Sequence, residues 1–237
     1  MLLAFVDIPQ RHQRLTIFPV VAADEPHLSY LLMMDALKRG VLTIEEKTAG
    51  KSNHFIARNR GSDPVLILDC ETVQGSWARH STPQSILLGP ESVTKVPSSC
   101  TESGKWCGEG RERRFSRGLA KFPLQENQVG ILAFLGRHLL GLDALGSPEL
   151  YSPLHRRLLT GYLITAMAAG KRAKSESPAE GAEIMALAQA LEGASRVAAP
   201  CPGHGEYCTL HGEISGGELR HNGHLVHLSV FPKGAAA

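Results

Sequence analysis

Short β-prone runs follow one another through the first half of this chain, and this succession limits the possible folds more than any other feature. The runs are rich in branched apolar residues, are separated by turn residues, and cover residues 15–20, 41–47, 54–60, 65–70, 85–88 and 92–97. Strands that follow one another without crossover helices pair mainly as antiparallel neighbours. The sequence therefore predicts an antiparallel sheet or sandwich in this half.

One helix is predicted among these strands. Ser29 can cap a helix that runs to Arg39, and Gly40 is a natural C-terminal stop. The apolar residues that this helix would bury are Leu31, Met34 and Leu37 or their neighbours.

Two hairpins are predicted in the second half. Gly136-Arg137 joins the apolar runs 129–135 and 138–142. Asn222-Gly223 separates two further β-prone runs and is the strongest hairpin signal in the chain. Strand alternation in the second hairpin predicts one core face, formed by Val226, Leu228 and Val230.

The same half contains two helical patterns. Ser147-Pro148-Glu149 combines a cap, a proline at the first helical position and an acid at the positive end of the helix dipole. This pattern predicts a helix to about Ala169, and a second helix follows over 179–194. Asp143 precedes the first of these helices, and we interpret it as a capping acid in a strand-to-helix connection.

These elements indicate a single α+β domain over residues 1–237, with a mainly antiparallel sheet or sandwich and two or three helices. The β-rich part covers about 1–142, the helical insert about 147–194 and the C-terminal hairpin about 206–232. No linker or internal repeat divides the chain.

The composition narrows the class of partner. The chain is 43% hydrophobic and 20% charged, as in ordinary globular proteins, and its formal net charge of +2 is too small to indicate a nucleic-acid partner. A basic stretch over 108–121 is predicted to be a mobile surface loop, and its one aromatic residue, Phe115, does not make a platform on which bases could stack. Binding to nucleic acid is therefore not expected.

The sequence also predicts a cytoplasmic protein. No apolar run approaches the length of about 18 residues that a membrane span requires. The N-terminus lacks the basic region and cleavage pattern of a signal peptide. Five cysteines are an odd number in a chain of 237 residues, which favours reduced thiols over a disulfide framework.

The chemistry-bearing residues concentrate in residues 64–106, where polar side chains follow two predicted strands. One strand ends in Asp69-Cys70-Glu71, and the other ends in Ser99-Cys100-Thr101-Glu102, with Trp106 shortly after it. Carboxylates at the edge of a core need partners. We expect a ligand or active site at these strand ends.

Several roles are open to these residues. Glu71 and Glu102 could act as general acid and base, or could share a divalent cation. Arg79 could bind an anionic group in bidentate fashion. The alternative is structural: both glutamates would lie at the rim of the core and accept hydrogen bonds from backbone amides or from Arg79.

Cys100 could be a nucleophile if His80 lies close to it in space. A buried, packed cysteine is the alternative. Trp106 could stack on a base or on a sugar, and Asp69 is a further candidate for ligand binding.

A second set of metal-ligating residue types lies near the C-terminus. Cys201, His204, Cys208 and His211 have the form C-x2-H-x3-C-x2-H, which differs from the spacing of structural zinc sites. We keep a zinc-binding protein as an alternative, although no metal ligand is assigned. His221 and His224 are predicted to face each other across the Asn222-Gly223 turn.

The chain resembles the uncharacterised bacterial family of the ARG and rhodanese-phosphatase-superfamily-associated protein domain. Four stretches carry the resemblance: LTIFPV (15–20), the whole of 64–106, ILAFLGRHLLGLDALGSPELYSPLHRRLLTGYLITAM (131–167) and HLVHLSVF (224–231). The chain departs from the family at Trp77-Ala78-Arg79-His80, where relatives show a run similar to K-Q-N-R. If that run handles an anionic ligand, Arg79 and His80 are the residues left to do so.

The family name implies an association with ADP-ribosylglycohydrolases and phosphatases, and hence with NAD or ADP-ribose metabolism. The resemblance thus favours binding or processing of a nucleotide-like ligand near Glu71 and Glu102. A non-enzymatic binding module or a homo-oligomeric assembly module is the alternative. The sequence identifies no cofactor, and it does not decide whether the protein is an enzyme.

Overall fold

The computed structural model describes residues 3–5, 8–22, 28–46, 53–69, 71–74, 79–101, 115–168 and 177–234. In chain order, the strands in these ranges are β1 (Leu3–Phe5), β2 (Gln10–His12), β3 (Leu15–Ala22), β4 (Leu31–Leu32), β5 (Leu42–Glu45), β6 (His54–Asn59), β7 (Val65–Ile67), β8 (Thr72–Gln74), β9 (Arg79–Ser81), β10 (Ile86–Leu88), β11 (Ser92–Pro97), β12 (Ser99–Thr101), β13 (Gln128–Leu135), β14 (His138–Leu145), β15 (Ser195–Ala199), β16 (Glu206–His211), β17 (Ile214–His221) and β18 (His224–Pro232). The helices are α1 (Met33–Lys38), α2 (Ser116–Leu119), α3 (Pro148–Tyr151), α4 (His155–Ala168) and α5 (Gly181–Gly193), and a 3₁₀ turn over Ser152–Leu154 connects α3 to α4.

Half of these strands form one large sheet in which every pairing is antiparallel. Its strand order is β1-β3-β13-β14-β18-β17-β16-β15, and β2 pairs with β3. The hairpins predicted at Gly136-Arg137 and Asn222-Gly223 are the β13–β14 and β17–β18 pairs of this sheet. With the smaller sheets and the helices, this arrangement confirms the predicted α+β class.

The first half of the chain supplies three small sheets, with strand orders β10-β7-β4, β11-β6-β5 and β12-β9-β8. The strands predicted around 41–47, 54–60, 65–70, 85–88 and 92–97 are all present here, with somewhat different ends. One pairing departs from the antiparallel pattern, because β4 runs parallel to β7.

Alternating side chains place these sheets in layers. Ile131 and Ala133 of the large sheet share a buried cluster with Leu66 and Leu87 of the β10-β7-β4 sheet. The other face of the large sheet packs against α5 in a second cluster that includes Leu132. The intervening residues of β7 and β10 point away from the large sheet into a third cluster with β6 and β11. The β10-β7-β4 sheet is therefore a middle layer, buried on both faces.

The first helix begins later than predicted. α1 starts at Met33 after an N-cap at Leu32, which provides no side-chain capping bond. Leu31 and Leu32 pair with β7, and the Leu31 amide donates to the Pro64 carbonyl at 2.8 Å. Strand pairing thus replaces the first helical turn, and the helix buries Met33 and Ala36 whereas Met34 is exposed.

The second-half helices agree more closely with the predictions. Ser147 caps α3, since its Oγ accepts a hydrogen bond from the Leu150 amide at 3.3 Å. α4 then ends at Ala168. α5 covers 181–193 and begins with a capping box between Glu180 and Glu183.

Two local predictions were wrong. Val226 does not share a face with Leu228 and Val230, because an irregularity in the β17–β18 register shifts the side-chain alternation; Val226 packs in the cluster with Ile131, and the other two pack toward α5. Part of the predicted loop over 108–121 is the helix α2, which buries Leu119. Residues 108–114 of that stretch lie outside the described residues.

Across the described ranges, no helix has the length and apolarity to cross a membrane.

Candidate functional site

A cluster of polar side chains lies between the large sheet, the β10-β7-β4 sheet and α4. We call it the Asp69–His227 cluster, and its members are Asp69, Ser85, Asp143, Tyr162, His227 and Ser229. All of them except Asp69 are almost fully buried. Buried polar groups on this scale need one another as hydrogen-bond partners.

Strand register brings the large-sheet members together. Asp143 of β14 lies directly opposite Ser229 of β18, and His227 lies two residues before Ser229 on the same strand. Neighbouring positions in register, and positions two apart along a strand, point to the same face of a sheet. All three side chains consequently face the middle layer, where the chain after β7 supplies Asp69 and the residue directly before β10 is Ser85.

Asp69 and Ser85 connect to His227 through short contacts. The Asp69 amide donates to Ser85 Oγ at 2.9 Å, and Ser85 Oγ lies 2.8 Å from His227 Nδ1 and 3.4 Å from Asp69 Oδ1. Ser229 Oγ donates to the other oxygen, Asp69 Oδ2, at 2.9 Å. The Asp69 carboxylate is thus oriented by the Ser229 hydroxyl and by the bond from its own amide to Ser85, and the His227 ring lies behind it, with Nδ1 3.8 Å from Oδ1.

On its other side, His227 faces Asp143. His227 Nε2 lies 3.9 Å from Asp143 Oδ1, which is close enough for attraction between charges but longer than a hydrogen bond. The Tyr162 hydroxyl donates to Asp143 Oδ2. Burial raises the pKa of Asp143 to about 6, against the opposing effects of His227 and the Tyr162 hydrogen bond. Burial also raises the pKa of Tyr162 well above its usual value, so that its hydroxyl remains a donor.

Gly141 leaves the space that Tyr162 needs to reach Asp143. A Cβ atom at residue 141 would lie 2.9 Å from the Tyr162 hydroxyl oxygen and 2.9 Å from the Phe231 ring. This is shorter than the approach that carbon atoms tolerate, so a larger residue would displace the tyrosine. The GLD sequence at 141–143 thus provides both the carboxylate and the room for its partner.

Glu71 lies beside Asp69 and is held by an ion pair. Its Oε1 accepts from Arg157 Nη1 of α4 at 2.7 Å, and its Oε2 accepts from the Leu68 amide at 3.0 Å. The Glu71 side chain is buried, whereas the Arg157 side chain is 42% exposed. This arrangement resembles the structural alternative for Glu71, with Arg157 in the place that the sequence assigned to Arg79.

The structure brings together some of the other predicted residues. Cys100 of β12 lies directly opposite His80 of β9, and Thr101 lies opposite Arg79. The side chains of Cys100, His80 and Arg79 lie outside the described part of the structure. Glu102 and Trp106 lie wholly outside the described residues, so their predicted roles stay predictions.

Sequence reasoning missed five members of the cluster. Asp143 was interpreted as a capping acid in a connection, and this was wrong because β14 continues to Leu145 and buries Asp143 in the sheet. His227 and Ser229 carried a usable signal, since they alternate with apolar residues in HLVHLSVF. Ser85 and Tyr162 carried none, because their roles depend on contacts with segments distant in sequence.

The C-terminal cysteines and histidines have other surroundings. Cys201 and Cys208 are free thiols. The His204 ring stacks on His221 at a centroid distance of 5.9 Å, and His211 Nε2 lies 2.8 Å from Thr209 Oγ1. Among the described residues, no group of three or more His, Cys, Asp or Glu side chains is arranged to hold a metal ion.

The geometry of the Asp69–His227 cluster restricts its chemistry. Ser85, His227 and Asp143 are the residue types of a nucleophilic triad, but Ser85 is 1% exposed and its Oγ lies beside the Asp69 carboxylate. An oxyanion formed there would face a negative charge rather than hydrogen-bond donors. Asp69 is the member that solvent reaches, with a side chain 22% exposed. It can therefore accept a hydrogen bond or a proton from a bound molecule.

A concave surface lies elsewhere, on the β11-β6-β5 sheet. It is lined by Glu45, Arg58, Asn59, Arg60, Glu91, Ser92 and Val93. Arg58 and Glu45 already form an ion pair there, with Nε and Oε1 3.2 Å apart. Exposed pairs of this kind are ordinary surface features, and this groove provides a reference surface for ligand experiments.

Comparison with known protein families gave one match. A family model described as ARG and Rhodanese-Phosphatase-superfamily-associated Protein domain matches residues 5–120 and 109–231. These two overlapping matches together cover nearly the whole chain, which confirms the resemblance predicted from the sequence. No curated protein and no solved structure matched the chain.

Proposed function

We propose a function for this chain from two facts: it belongs to the ARG and Rhodanese-Phosphatase-superfamily-associated Protein domain family, and its Asp69 carboxylate reaches solvent from a buried polar cluster. The chain binds a small nucleotide-like molecule at the rim formed by Asp69, Glu71 and Arg157. The family description, through ADP-ribosylglycohydrolases and phosphatases, makes ADP-ribose or a related ribose phosphate the first ligand to test.

The orientation of Asp69 is the observation that supports this proposal most. The Ser229 hydroxyl of β18 donates to Oδ2 of its carboxylate, and the Asp69 amide donates to the Oγ of Ser85, the residue directly before β10. A carboxylate held in this way recognises vicinal hydroxyls, such as those of ribose, without the entropic cost of ordering a side chain. Each hydrogen bond to a charged acceptor contributes about 1.5–3 kcal/mol.

Arg157 supplies the charge that a phosphate group needs. Its Nη1 is bound to Glu71, and its side chain remains 42% exposed at the start of α4. Guanidinium groups bind phosphate through several parallel N–H donors. The anchored Arg157 is thereby oriented for a phosphate while Asp69 takes the sugar.

Thermal-shift and calorimetric titrations with ADP-ribose, NAD and ribose 5-phosphate test the proposal. We expect binding to the wild-type protein and a loss of affinity of at least tenfold in Asp69→Asn, since the amide replaces one acceptor with a donor. Asp63→Asn is the matched control, because Asp63 is an exposed aspartate on a turn six residues earlier. Equal affinity of Asp69→Asn and Asp63→Asn, or no binding of any of these ligands, would contradict the proposal.

A further inference from the structure

We propose that Asp69, Ser85, His227 and Asp143 form a proton relay, in which Asp69 is the general base for hydrolysis of a phosphate bond in the bound ligand. This rests on the proposed function, and adds to it a reaction and a role for each buried member. The relay starts at the exposed Asp69 carboxylate and ends at the His227 imidazole, which faces Asp143 on its other side.

Each step of the relay corresponds to a contact in the structure. Ser85 Oγ lies between Asp69 Oδ1 at 3.4 Å and His227 Nδ1 at 2.8 Å. His227 Nε2 lies 3.9 Å from Asp143 Oδ1, and Tyr162 holds the remaining oxygen of that carboxylate. The gap of 3.4 Å between Asp69 Oδ1 and Ser85 Oγ would have to shorten during proton transfer, as catalytic hydrogen bonds often do when a substrate binds.

The tautomer of His227 follows from its two neighbours. An ionised Asp143 favours a proton on Nε2, which leaves the Nδ1 lone pair to accept from the Ser85 hydroxyl. His227 can then receive a proton through Ser85, and the resulting imidazolium lies between two carboxylates. Tyr162 keeps Asp143 in place by donating to it.

The chemical step balances without a further reactant besides water. A water molecule gives a proton to Asp69 Oδ1, and its oxygen forms a bond to phosphorus while the bond from phosphorus to the leaving oxygen breaks. Asp69 passes its proton to Ser85 as Ser85 gives its own to His227 Nδ1. The reverse transfer returns the proton through Asp69 to the leaving oxygen, which restores the resting state.

Incubation with ADP-ribose between pH 5 and 9, with AMP and ribose 5-phosphate measured by chromatography, tests the reaction. We expect hydrolysis by the wild type and a fall of about 10²–10⁴-fold in kcat for Asp69→Asn, the range that a general base contributes. Ser85→Ala should lower kcat and alter its pH profile, while calorimetry shows ADP-ribose still bound. Ser195→Ala is the control, since Ser195 lies on the edge strand β15 and its Oγ donates to the His211 carbonyl. Binding of ADP-ribose without hydrolysis would overturn the relay and leave the proposed binding function intact.

An NMR measurement on the ligand-free protein tests the relay independently of any substrate. The ring nitrogens of His227, assigned by loss of their signals in His227→Gln, should show the Nε2–H tautomer at pH 8 and should change in Ser85→Ala and Asp143→Asn. The relay requires this tautomer, because Nδ1 must be unprotonated to receive the proton of Ser85. A ring protonated on Nδ1 at pH 8 would overturn the relay even if ADP-ribose proves to be no ligand.

Discussion

Asp143 is the residue whose chemistry depends most on its surroundings. It lies on a central strand, where burial of a carboxylate costs free energy. The Tyr162 hydroxyl donates to one of its oxygens, and the His227 ring lies 3.9 Å from the other, so that both neighbours offset this cost. Its pKa of about 6 lies well above the value of 3.8 for an aspartate in water. This difference ties the free energy of unfolding to pH.

Loss of the Asp143 proton is expected to lower the stability of the folded state. Because the folded pKa is raised, the native state holds the Asp143 proton more tightly than the unfolded state, so stability falls as pH rises from about 4 to about 6. We expect the free energy of unfolding of the wild type, relative to Asp143→Asn, to decrease over this range by on the order of 2 kcal/mol. Urea denaturation at several pH values measures it, with Asp63→Asn as control. A difference that is constant with pH, or that increases, would show that burial of Asp143 is not the dominant influence.

Arg157 and Arg156 form a natural comparison on α4. Both are exposed and adjacent, but Arg157 binds the buried Glu71. Arg157→Gln leaves that carboxylate with the Leu68 amide and without its cation, which should cost about 1–3 kcal/mol of stability. Arg156→Gln should change stability by no more than about 0.5 kcal/mol. Chemical denaturation measures the free energy of unfolding of both variants. Equal values would mean that the Arg157–Glu71 ion pair does not contribute to stability.

At the scale of elements, short-range signals were predictable and long-range ones were not. Ser147 and the Asn222-Gly223 turn act through neighbours a few residues away, and both were identified from sequence. The start of α1 and the end of β14 depend on pairing with β7 and β18, which lie far along the chain. Tertiary pairing overrides local preference in such places.

The β17–β18 turn offers a test at this scale. Asn222 and Gly223 have φ of 51° and 78°, the left-handed conformation that a two-residue hairpin turn requires. Gly223→Ala should therefore lower stability by about 1 kcal/mol. Thermal unfolding of Gly223→Ala against Gly212→Ala, a glycine without positive φ, measures the effect. Equal midpoints for the two variants would show that the turn conformation does not limit stability.

For the whole molecule, the Asp69–His227 cluster is a junction between distant segments. Ser85 and His227 are 142 residues apart, and Asp69 and Ser229 are 160 apart. No local pattern could have joined them, although the strands that hold each one were largely predicted. The sequence did locate Asp69 and Glu71 at a strand end with polar character. The partners of Asp69 depend on the packing of the middle layer against the large sheet, which no local pattern specifies.

Mapping a ligand on the protein tests the central claim most directly. Backbone amide shifts of ¹⁵N-labelled protein, followed during titration with ADP-ribose, locate the contact without assuming any activity. We predict the largest changes at Leu68, Asp69, Glu71 and Ser85, around the exposed end of the cluster. Changes confined to the groove of the β11-β6-β5 sheet, around Arg58, Arg60 and Val93, would contradict the assignment of the ligand site to Asp69.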